Sequence, residues 1–92
     1  MNLRKVDLNL LVIFDALMHE KNVTKAANRV ALSQPAFSNA LSRLRHYLKD
    51  DLFVRSPEGM LPTPRARELA PHISGVISIL QSALEPGEFD PA

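Results

Sequence analysis

Apolar side chains return every three or four residues along most of this chain, so it is expected to be mainly helical. Leu10, Leu11, Phe14, Leu17 and Met18 share one face of a first helix that Asp7 can cap and that runs to about Glu20. Lys21-Asn22 breaks it. Thr24 is the expected N-cap of a short second helix, with Ala26, Ala27 and Val30 facing inward, and the two alanines let it approach a neighbour closely. Ala31-Leu32 forms a turn. Ser33 then caps a third helix with Pro35 in its first turn, where a missing N–H leaves no bond unmade. Its faces separate cleanly. Phe37, Leu41, Leu44 and Leu48 make an apolar stripe for the core. Gln34, Ser38, Ser42, Arg45 and Lys49 line another side, flanked by Asn39 and Arg43.

After Asp50-Asp51 the pattern changes. Leu52-Phe53-Val54-Arg55 reads as a short strand, Ser56-Pro57-Glu58-Gly59 as a turn, and Met60-Leu61 as a returning strand. A hairpin placed behind three helices is a wing. Thr63-Pro64 is a second cap-plus-proline start, opening a helix from Pro64 to about Glu85. Its positions Ala66, Ala70, Ile73, Ile77, Leu80 and Leu84 alternate by four and three as in a heptad seam, with Leu69, Val76 and Ala83 as a second row and Ile79 outside both. So wide an apolar face exceeds what one thin core covers, which predicts a dimerisation helix. The alternative is that the helix folds back on its own domain. Pro71 removes a helical hydrogen bond, so a bend near Arg67–Pro71 is expected. Pro86-Gly87 stops the helix, and Phe89-Asp90-Pro91-Ala92 reads as the start of a further segment, as in a fragment of a longer protein.

Composition narrows the chemistry. The 92 residues suffice for one small domain, and with 5% aromatic residues its core is built largely from aliphatic side chains. Without cysteine there is no disulfide framework and no thiolate zinc site. The run Leu8–Leu17 is interrupted by Asn9 and Asp15 and has helical period, so it reads as a core helix rather than a membrane span. Formal net charge is only +1, but its distribution is uneven. Lys21, Lys25, Arg29, Arg43, Arg45 and Lys49 follow one another with no acid between them, the expected footprint of a phosphate-facing surface. The alternative is a solvated face. Short polar side chains at the start of the third helix, with cations further along, suit a helix that lies in a DNA groove and reads base edges.

Several segments together resemble the N-terminal DNA-binding domain of LysR-type transcriptional regulators, in the branch of the nodulation-gene, nitroaromatic-degradation and leucine-operon regulators. They are Val6-Asp7-Leu8-Asn9-Leu10-Leu11, Thr24-Lys25-Ala26-Ala27, Leu32-Ser33-Gln34-Pro35-Ala36-Phe37-Ser38, Leu52-Phe53-Val54-Arg55 and Pro62-Thr63-Pro64-Arg65-Ala66. The likeness covers nearly the whole chain. It implies a winged helix-turn-helix over residues 1–63, with the helix-turn-helix at about 22–41. A linker dimerisation helix at 64–86 and the start of a hinge at 87–92 would follow. Linker helices of two subunits would pair antiparallel. A C-terminal effector-binding domain would follow the hinge and bind a small molecule, and the full protein would be a cytoplasmic tetramer on DNA.

Carried over by position, the family's base-reading residues fall on Gln34, Pro35, Ser38 and Asn39. Its phosphate contacts fall on Thr24, Lys25, Ser33, Ser42, Arg43, Arg55 and Thr63. The dimer interface would use Ala66, Leu69, Ala70, Ile73, Val76, Ile77, Leu80 and Leu84. Three positions depart from the family pattern. Asn39 stands where many members carry Arg, which favours adenine over guanine. Arg45 replaces a frequent Glu and makes the helix more basic. The wing tip carries Glu58 and lacks a second Arg, leaving Arg55 as its main contact.

Simpler roles stand beside these. Pro35 can serve only to start its helix; Thr24 and Ser33 are expected both to cap and to touch phosphate; Arg43 can pair with Asp50 or Asp51. His19, His46 and His72 have no ligand spacing, so no metal or other cofactor is expected. An enzyme is not expected, because no nucleophile–base pair or Gly-rich phosphate loop is present. A protein-interaction module on the same winged fold is the stronger rival. RNA is disfavoured by the scarcity of stacking aromatics.

Overall fold

The structure is a computed structural model that describes Arg4 and residues 7–85. Its elements in chain order are α1 (Asn9–Glu20), α2 (Val23–Arg29), α3 (Gln34–Leu48), β1 (Phe53–Ser56), β2 (Gly59–Pro62) and α4 (Pro64–Leu84). They form the expected winged helix-turn-helix with a long terminal helix. Val6, the Pro86-Gly87 stop and the hinge at 87–92 lie outside the described residues.

The helix starts follow from local hydrogen bonding. The cap position of α1 falls on Leu8, which has no side-chain cap bond, and the expected cap Asp7 stands one residue earlier: its Oδ1 accepts the Asn9 N–H at 2.9 Å, and its carbonyl accepts the Leu10 N–H at 2.8 Å. Ser33 Oγ accepts the Ala36 N–H at 3.2 Å and Thr63 Oγ1 accepts the Ala66 N–H at 3.2 Å, each just before a proline in the first turn. The cap expected on Thr24 belongs instead to Asn22. Asn22 is the last extended residue, and its Oδ1 accepts the Lys25 N–H at 2.9 Å. Thr24 therefore lies inside the first turn, with its hydroxyl free to face α3.

The chain changes direction at Lys21 (φ 54°), Ala31 (φ 59°), Lys49 (φ 53°) and Leu52 (φ 63°), all side-chain-bearing residues in the left-handed region. The core gathers around α1, which contacts α2, α3 and α4. Phe14, Phe37 and Phe53 are fully buried, and the rings of Phe14 and Phe53 lie 5.5 Å apart at a 56° tilt. Ala26 and Ala27 are buried too, giving the close approach that small side chains permit. Because neighbours cover α1 on several sides, Ile13 and Ala16 are also buried, beyond the face read from periodicity.

The terminal helix corrects one expectation. Thr63 turns the chain straight from β2 into α4, whose first half packs on the domain's own core. Ala66 and Ile73 are buried there, and Leu69, Ala70 and Ile77 are half-buried. Ala66 and Ile73 are therefore core residues of this chain rather than contacts for a second copy. The outer half is bare: Val76, Ile79, Leu80 and Leu84 are exposed, Leu84 at 77%. The helix runs unbroken through Pro71.

The wing is an antiparallel pair in which Ser56 opposes Gly59 across the turn residues Pro57-Glu58. The Ser56 hydroxyl donates to the Gly59 carbonyl at 2.9 Å and accepts the Glu58 N–H at 3.1 Å, tightening that turn. The wing is fastened to the helices where the Met60 N–H donates to the Lys21 carbonyl at 3.0 Å. Gly59 makes this approach possible. Its φ is +119°, and a Cβ there would meet the Lys21 oxygen at 2.5 Å. Gly59→Ala is expected to destabilise the domain by on the order of 1–3 kcal/mol, read as a lowered urea midpoint with unchanged slope.

Candidate nucleic-acid interface

The first turns of α2 and α3 and the adjoining face of the wing enclose a cleft of 240 Å³ whose lining includes Thr24, Gln34, Ser38 and Arg55. Asn22 places the start of α2 there, Ser33 and Pro35 the start of α3, and the Met60–Lys21 hydrogen bond the strand that carries Arg55. The Gln34 side-chain amide donates to the Thr24 hydroxyl, linking the two helices across the turn. A primary amide has two N–H groups, so the second N–H and the carbonyl oxygen remain as an edge able to pair with a base. Lys21, the first cation of the basic run, also lines the cleft, as does Asn22, which the sequence had marked only as a helix breaker. The available signal was Asn22 standing just ahead of a helical segment.

Pro35, Asn39, Ser42 and Arg43 are exposed on α3 outside that cleft; Lys25 is exposed on α2, and Ser33 at the turn between the two helices. Arg43 does find an acid, but not Asp50 or Asp51. Its Nη2 lies 3.7 Å from Asp7 Oδ2, with both side chains open to water. Such a pair contributes at most about 1 kcal/mol and leaves the guanidinium exchangeable. Arg29 pairs with Glu20 at 2.9 Å. The acid-free basic run in the sequence is thus partly neutralised by Asp7, just ahead of α1, and Glu20, at its end.

Arg45 leaves the polar stripe. Its Nε donates to the Asp51 carbonyl at 2.7 Å and its Nη2 to the Phe53 carbonyl at 2.9 Å, so it faces the base of the wing.

Thr63 is likewise held in a junction rather than brought into the cleft. Its hydroxyl donates to Asp50 Oδ1 at 2.8 Å, and its backbone N–H donates to the Leu52 carbonyl at 2.8 Å. With the hydroxyl proton on Asp50 and the oxygen on Ala66, this side chain has no proton for a phosphate. Asp50 Oδ1 also accepts the Leu52 N–H at 2.7 Å. That backbone donor first, then the Thr63 hydroxyl, holds the Asp50 carboxyl below its ordinary pKa; desolvation opposes them, and the Arg65 charge adds the least to the lowering.

Comparison with known proteins agrees with this architecture. Residues 8–67 match the family described as "Bacterial regulatory helix-turn-helix protein, lysR family". The HTH-type transcriptional activator NagR of Ralstonia sp is 49% identical over 92 residues, covering 99% of this chain and 31% of that protein. The HTH-type transcriptional regulator LeuO of Escherichia coli is 47% identical over 90 residues, covering 98% of this chain and 29% of that protein. A crystal structure of a probable transcriptional regulator from Pseudomonas aeruginosa superposes with a TM-score of 0.89 at 47% identity, covering 97% of this chain and 30% of that one. This chain thus spans about a third of the length of the curated relatives it matches.

The Asp50 junction has a pH signature. Its folded pKa is depressed, so its contribution to stability is present above the ordinary carboxylate value of about 3.9 and is lost as pH falls through the lower folded value. Asp50→Asn should therefore be less stable than the parent near neutral pH. The gap should close in acid, as followed by thermal melts across that range.

Proposed function

The chain belongs to the lysR family of bacterial regulatory helix-turn-helix proteins, regulators rather than enzymes, and from that premise we propose that it binds duplex DNA sequence-specifically as one half of a dimer. The observation that carries the reading is the meeting of Thr24, Gln34, Ser38 and Arg55 around one cleft at the start of α3. In this reading Gln34 pairs with adenine through its free amide edge, and Pro35 packs on a thymine methyl. Ser38 and Asn39 reach further base edges. Lys25, Ser33, Ser42, Arg43 and Arg55 hold phosphates and supply affinity with little sequence information. Thr24 both orients Gln34 and turns its own hydroxyl proton toward the backbone.

Two copies join through the exposed outer half of α4, where Val76, Leu80 and Leu84 present an apolar row continuous with half-buried Ile77. Such a dimer recognises an interrupted palindrome. Within the longer protein, residues 1–63 act as the DNA-binding unit, 64–86 as the linker helix and 87–92 as the start of a hinge. That hinge leads to a domain that binds a small-molecule effector and tunes transcription, in a tetramer working in the cytoplasm. Among the described residues no helix is long and apolar enough to cross a membrane.

Gln34→Ala should relax preference at one base pair by about 1–3 kcal/mol. Lys25→Ala should weaken all duplexes alike and lower the salt slope by about one. Titration of matched and mismatched duplexes over several salt concentrations checks both, and equal losses on both duplexes for Gln34→Ala would remove its base-reading role. Leu80→Asp with Leu84→Asp, both at exposed positions, should leave the folded domain's circular-dichroism spectrum intact, shift sedimentation from dimer to monomer and remove any dependence of the melting temperature on protein concentration.

A further inference from the structure

A two-stranded wing is marginal by itself, and each of its outer edges leaves backbone groups without a ladder partner. Ser56 and Gly59 flank the turn as the first hydrogen-bonded pair, so strict alternation turns the backbone groups of Phe53 and Met60 outward. Both outward edges are occupied. On β2 the Met60 N–H reaches the Lys21 carbonyl at 3.0 Å. On β1 the Phe53 carbonyl receives the Arg45 Nη2 at 2.9 Å, while the same guanidinium holds the Asp51 carbonyl at 2.7 Å.

Arg45 thus reaches from the last turns of α3 to the strand that carries Arg55 two residues on. Both of these acceptors are backbone carbonyl oxygens, and Arg45 is half-buried where Ser38 and Ser42 on the same stripe are exposed. A planar guanidinium spans two carbonyls at fixed separation; an ammonium on a flexible stem is a point charge and does not.

We propose that Arg45 is a positioning residue that sets the wing against α3, so that Arg55 meets the DNA backbone while α3 occupies the groove. The charge at position 45 contributes through this placement and not through contact with a phosphate. The inference rests on the wing reading given above for Arg55, and the experiment separates the two.

Binding is measured for the parent chain, Arg55→Ala, Arg45→Lys and the double variant. The probes are a duplex enriched by the parent from a random pool and a mixed-sequence duplex of equal length, titrated over several salt concentrations. Arg55→Ala should weaken both duplexes by the same factor and lower the salt slope by about one. Arg45→Lys keeps the charge yet should reproduce most of that loss, slope included, and adding Arg55→Ala to it should change little further. Parent-like affinity and slope in Arg45→Lys would overturn the proposal, as would an Arg55→Ala factor that is the same in both backgrounds. If Arg55→Ala alone leaves binding unchanged, the wing reading fails and this inference falls with it. A measurement on the parent chain does not depend on the variants folding. The guanidinium NMR signals of Arg45 should be slowed in exchange with water and shift little on adding duplex, while those of Arg55 move. Arg45 signals that move as far as those of Arg55 would mark a phosphate contact and end the proposal.

Discussion

The burial of Phe14 holds this molecule together. Its ring lies at the middle of α1 and touches the wing through Phe53, so the first helix and the hairpin share one apolar centre. Aromatic side chains bury roughly 150–250 Å² each, which makes three fully buried phenylalanines a large part of a small core. α2, α3 and α4 all pack against α1. The surface of α3 that faces outward is therefore fixed by what α1 covers on its other side. The position of the cleft is a consequence of that packing.

Apolar burial is non-directional, and the aim of individual side chains comes from polar ties at the element boundaries. Asn22 and Ser33 set where α2 and α3 begin, so Thr24 and Gln34 come within hydrogen-bonding reach. Asp50 and Thr63 bind the end of α3, the start of β1 and the start of α4 into one corner. Both wing edges are tied back to the helical body. Among the described residues no such tie reaches the outer half of α4, and its apolar side chains stand open.

Much of this was legible along the chain because it is local. Ser33-Gln34-Pro35 and Thr63-Pro64 announce helix starts whatever surrounds them, and the Ser56–Gly59 cluster announces a turn. What stayed hidden depends on partners distant in sequence. Asn22 and Thr24 are both good caps two residues apart, and only the extended backbone at Asn22 decides between them. The seam of α4 showed an apolar face but not what covers it, and the same period served Ala66 inside the domain and Leu84 outside it. Arg45 shares its stripe with Ser38, yet a long side chain can turn away from its helical row. Arg43 and Arg29 meet Asp7 and Glu20, acids at the two ends of the α1 segment that no spacing rule connects to them.

The four corners at Lys21, Ala31, Lys49 and Leu52 place ordinary L-residues where glycine would be comfortable. Each such conformation costs on the order of 1–3 kcal/mol and persists only where its surroundings enforce it. No pair of neighbouring helices therefore gains much by folding first, since the bend between them is unfavourable until the remaining shell has closed. The domain should assemble and come apart in a single cooperative step.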